Sequence, residues 1–131
     1  MKTKWLDRRI AAPGPYLALC LSQEEFRSAM MRLKAADIPN WCRADAMTHI
    51  FDHEGGGVCC VVCIKGWEGR NPVSVAGLLV HEAVHVWQAY AESIGEKSSG
   101  DEQEAYAIQT IAQELMSEFA RRMNELQNFD K

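Results

Sequence analysis

The stretch from Pro72 to Ser93 constrains the fold more than any other part of the sequence. No proline interrupts residues 73–94, and apolar residues recur on every side of the helix that such a stretch would form. Asn71 suits the N-cap, Pro72 the first turn and Gly95 the stop. Leu79, Ala83, Val86 and Tyr90 fall on one side, with Val80, Val84 and Trp87 on another. That distribution predicts a central, buried helix. A helix of this kind needs apolar partners. Val58 to Ile64 offers one, a β-branched and cysteine-rich run that reads as a buried strand.

The remaining elements arrange themselves around these two. Tyr16 to Leu21 is a short apolar strand. Ser22 and Glu25 form an S-x-x-E capping box that opens a helix through Phe26, Met30 and Leu33, to be stopped by Pro39. Met47 to Phe51 pairs with Val58 to Ile64 across the glycine-rich turn at 52–57, giving a β-hairpin. Residues 66–71 form a loop. Ser99 and Glu102 make a second capping box, and a last helix runs from about Gly100 to near Leu126 on the stripe Ile108, Ile111, Leu115 and Phe119. The order predicts an α+β fold: a small antiparallel sheet packed on two long helices, plus an N-terminal helix. With 131 residues, 47% of them hydrophobic, this is a single domain, and residues 1–14 are expected to be a loosely ordered arm.

Charge and cysteines narrow the function. A net charge of −4 argues against a nucleic-acid or anionic-membrane partner. No apolar run reaches the roughly 18 residues of a membrane span. Charged residues and prolines break the N-terminal stretch, so no export signal is expected. Five cysteines do not pair evenly, and Cys20, Cys42, Cys59, Cys60 and Cys63 read as reduced thiols of a cytoplasmic protein.

Within the predicted central helix lies His81-Glu82-Ala83-Val84-His85, an H-E-x-x-H pattern. Residues four apart share a helix face, so two imidazoles can converge on one ion. Zinc accepts nitrogen donors at about 2.0–2.1 Å, and Glu82 is placed to take a proton from a metal-bound water. In a helix this apolar the two histidines are expected to be buried. Ser74, Gly77, Leu78, Gln88 and Glu92 share their face. Gly77 either gives a ligand room to approach or allows close helix packing. A catalytic site needs a third protein ligand and an open position. Glu102 and Glu104 are about 200° apart on the last helix. Glu104 shares the buried stripe and Glu102 serves as capping residue, which selects Glu104.

His81-Glu82-x-x-His85, followed by Glu104-Ala105 opening a helix, resembles the gluzincin branch of the zincin metallopeptidases. It is most like the small single-domain zincins of bacterial and phage genomes. The resemblance covers about residues 72–115. It implies zinc held by His81, His85 and Glu104, Glu82 as general base, and a peptide or protein substrate paired with an edge strand, for which Val58–Ile64 could serve. Position 108 departs from the thermolysin-like pattern, with Ile where an orienting Asp is found. Tyr106, Tyr90 and His53 are the candidates for stabilising an oxyanion. A non-proteolytic zinc-binding interaction protein on the same scaffold is the alternative.

Other signals read as structural. Cys60 and Cys63, three apart on a strand, should face opposite sides rather than form a metal knuckle. His49 and His53 read as a sheet-surface and a loop histidine. Trp5, Trp41 and Trp67 are core anchors or a partner surface. Arg121 and Arg122 read as ordinary charge in the second half of a helix.

Overall fold

The computed structural model describes residues 15–53, 57–95 and 100–129. Among the described residues three strands and three α-helices follow in order: β1 (Tyr16–Cys20), α1 (Gln23–Arg32), β2 (Ala46–Asp52), β3 (Val58–Ile64), α2 (Pro72–Ser93) and α3 (Asp101–Phe129), with a 3-10 turn at Trp67–Gly69. The α+β expectation holds. The proposed arm, Trp5 and the Ser99 cap lie outside the described residues.

The strand order is β1-β3-β2. The β2–β3 hairpin is antiparallel, with Thr48 opposite Val62 and Ile50 opposite Cys60. β1 joins the other edge of β3 in parallel, Leu17 opposite Cys60. The sheet is therefore mixed rather than wholly antiparallel. β3 is paired on both edges and every residue in it is buried. An unbroken apolar run is the sequence of such a central strand. It cannot be the substrate-pairing edge; β2 is the edge strand packed beside α2.

Alternate residues of the sheet feed two cores. Leu17, Leu19, Cys60, Val62 and Ile64 face Leu79, Ala83 and Val86 of α2 and Ile111 and Leu115 of α3. Cys20, Val61 and Cys63 face Phe26, Ala29 and Met30 of α1. Cys60 and Cys63 thus lie on opposite faces, as strand geometry requires. Each fully buried leucine or valine contributes about 1.5–3 kcal/mol. All five cysteines are buried thiols that form no disulfide. Burial pushes Cys59 and Cys60 up to about 12, so both stay protonated at neutral pH.

Local signals act as the sequence reading expects, with three differences. Asn71 caps α2 by accepting from the Ser74 amide at 2.8 Å, and Gly95 follows the helix with φ 71°. Ser22 caps α1 by accepting from the Glu25 amide at 3.2 Å. The Glu25 carboxylate reaches back to the Leu21 amide at 3.4 Å, but it also accepts from Arg122 of the last helix at 2.6 Å. α1 also ends at Arg32, well before Pro39. Lys34 turns left-handed (φ 56°), and the amides of Lys34 and Ala35 return to the carbonyls of Met31 and Met30. That pair of bonds is the Schellman stop, with lysine in the usual glycine position.

The third difference is Arg122. It is fully buried, not surface charge. It donates to Glu118 at 2.6 Å, to Glu25 at 2.6 Å and to the Leu19 carbonyl at 3.1 Å, tying α3 to α1 and β1. Burial alone would raise Glu118, but hydrogen bonds and charge from Arg121 and Arg122 outweigh it and hold the carboxyl below its ordinary value. Among the described residues no helix is long and apolar enough to cross a membrane.

Candidate metal centre

The site forms where the middle of α2 passes beneath β2. Helical spacing brings His81 and His85 together, their ring centroids 5.0 Å apart and the planes 67° to one another. Two imidazoles on one tetrahedral zinc, each bonded at about 2.0–2.1 Å, place their ring centres roughly 5 Å apart, so this pair fits a shared ion. Both side chains are exposed, His81 to 68%. The expectation of buried histidines is therefore corrected. α2 is embedded along Leu79, Ala83 and Val86, but its opposite face is open and also carries Gly77, the largely exposed Val73 and the partly exposed Val80.

The buried member of the motif is Glu82, 4% exposed. It lies on the side of α2 that meets the sheet. Thr48 of β2 donates from Oγ1 to Glu82 Oε1 at 2.8 Å, while Oε2 lies 4.0 Å from His81 Nε2. Oε2 has no hydrogen-bond partner among the described residues and lies on the His81 side of the carboxylate. A carboxylate removed from water needs compensation, and here the Thr48 hydroxyl supplies it at Oε1.

His85 is oriented by Gln88, which the sequence places on the same helix face. Its Nδ1 is 3.1 Å from Gln88 Oε1, an amide oxygen that accepts the ring proton and leaves Nε2 as the lone-pair nitrogen. Such partners fix the tautomer and direction of metal-binding histidines. The i, i+3 spacing was the available signal. Thr48 had none, since its contact spans 34 positions. A groove of about 490 Å³ continues from His85 between α2 and the end of the hairpin, lined by Ile50, Asp52, Gln88 and Glu92.

Glu104 is half-buried in the first turn of α3, at the head of the stripe formed by Ile108, Ile111 and Leu115, whereas Glu102 is exposed. The structure does not draw Glu104 to the histidine pair: among the described residues no three His, Cys, Asp or Glu side chains gather in a group that could hold a metal. Of the oxyanion candidates, Tyr90 is buried against Trp87, Tyr106 is 64% exposed, and His53 stacks on Tyr16 at 3.8 Å.

Other residues have structural settings. His49 is buried, its Nε2 donating to the Trp41 carbonyl at 2.8 Å, with its ring against Phe26. Trp67 donates to the Leu21 carbonyl at 2.9 Å and meets Phe119 edge-on. A Cβ added at Gly77 would touch nothing within 4 Å, which removes close packing as the reason for a glycine one turn before His81. No protein-family model matches this chain, and no curated protein or solved structure shows significant similarity to it.

Proposed function

We propose that this chain is a zinc metallopeptidase of minimal size, with His81, His85 and Glu104 as metal donors and Glu82 as general base. The observation that carries the reading is the division of labour within the motif. Two exposed imidazoles stand together on one helix face, and the carboxylate between them is buried with one oxygen beside His81. An accidental His/His pair would not require an intervening glutamate to be withdrawn from water. The resemblance to gluzincins points the same way.

A zinc ion held there would supply an acidified water and a polarised scissile carbonyl. The chain's own residues do the rest. Glu82 accepts the water proton at Oε2 and delivers it to the leaving amine. Gln88 keeps the lone pair of His85 on Nε2. β2, an edge strand beside α2, can hold an extended peptide by main-chain hydrogen bonds, and the groove at His85 receives its side chains. Glu104 joins from α3, the helix packed along α2. The compartment that suits five reduced thiols is the cytoplasm.

One observation favours the alternative of a zinc-binding protein without peptidase activity: Ile stands at position 108, where thermolysin-like enzymes carry an orienting Asp. Glu82→Gln separates the two. Zinc-loaded wild type should cleave members of a broad peptide library, and Glu82→Gln should keep its zinc while losing about 10²–10⁴-fold in rate. Hydrolysis that survives the substitution contradicts the role of Glu82. Wild type that binds zinc and cleaves nothing leaves the binding reading in its place.

A further inference from the structure

Thr48 is the one hydrogen-bonding partner of the Glu82 carboxylate among the described residues, and it comes from a different element. Its hydroxyl reaches Oε1 at 2.8 Å from the edge strand, while Oε2 lies 4.0 Å from His81 Nε2. A glutamate side chain carries its carboxylate on three rotatable bonds. Without a fixed partner it exchanges among rotamers that aim both oxygens in different directions. A single donor on one oxygen selects a rotamer and so determines where the other oxygen points. We propose that Thr48 is a positioning residue: it anchors Glu82 by Oε1 so that Oε2 is presented to the proton of the attacking water. The inference rests on the peptidase reading above.

The placement has a physical logic. Thr48 is in register with Val62 of the buried central strand, so its backbone is held from the sheet side. A β-branched residue has few χ1 rotamers on a strand, so the hydroxyl direction is itself fixed. The base is thereby aligned by the same strand along which an extended substrate would lie. Proton transfer depends on hydrogen-bond reach of about 2.6–3.2 Å, and a base displaced by an ångström loses on the order of 100-fold.

The test compares zinc-loaded wild type with Thr48→Val, which keeps the shape and removes the donor, and Thr48→Ser, which keeps the donor. The substrate is a peptide that wild type selects from the library. Thr48→Val should lower kcat about 10- to 100-fold, with KM within about twofold and zinc content unchanged. Thr48→Ser should restore kcat to within about threefold of wild type, and Thr48→Val should cost nothing further in a Glu82→Gln background. An unchanged kcat in Thr48→Val overturns the positioning role. So does a Thr48→Ser variant as impaired as Thr48→Val, or a loss confined to KM, and each leaves the peptidase reading standing. Wild type that turns over no peptide overturns both.

Discussion

Lys34 holds a left-handed backbone conformation that glycine adopts without steric cost. The stop of α1 depends on it, since the amides of Lys34 and Ala35 close the last turn. Lys34→Gly is expected to stabilise the protein by about 1 kcal/mol, raising the melting temperature by roughly 3–5 °C in calorimetry. A lower melting temperature would mean that lysine makes a compensating contact. The same scale separates what sequence reveals from what it hides. His81 and His85 were legible because four positions on a helix are one turn. Their exposure was not, because it depends on which face of α2 the sheet and α3 leave open. Arg122 was misread for a related reason: its partner Glu25 is 97 positions away, and nothing within a turn of an arginine indicates a distant carboxylate.

Among elements, α2 and β3 were legible nearly to the residue, since their caps, periodicity and apolar run are local. The parallel attachment of β1 was not, because strand direction is decided by a connection that includes α1 and β2. The ion network that fastens α3 to α1 and β1 is likewise invisible in any one element. It makes a prediction at this scale. Arg122→Ala leaves Glu118 and Glu25 buried against the space of a missing cation and should cost about 3–5 kcal/mol in urea unfolding. Acid should act on the same clamp. Folding lowers the pKa of Glu118 below its ordinary 4.5, so the unfolded chain takes up a proton first as the pH falls. The stabilisation is complete above that value and is lost as the pH drops through the folded pKa. Denaturation midpoints should therefore decline below about pH 4.5, and by less in Arg122→Ala. Equal acid slopes in both proteins would dissociate the clamp from acid stability.

Across the whole molecule, three layers fix how one stretch of sequence is presented. α1 and α3 hold the sheet from opposite faces, the sheet holds β2 over α2, and β2 withdraws Glu82 from water while the histidines remain outside. The architecture sets two exposed imidazoles beside a buried carboxylate, with Glu104 on the adjoining helix. Zinc binding is therefore the claim on which the function turns, and zinc content with thermal stability measures it most directly. Protein prepared without chelator, or supplied with zinc, should hold about one ion per chain and melt at a higher temperature than the metal-free form. His81→Ala should lose both the ion and the added stability, and Glu104→Gln should bind it more weakly. Fewer than about 0.2 zinc per chain after zinc is supplied, or a melting profile that His81→Ala leaves unchanged in the presence of zinc, would contradict the account.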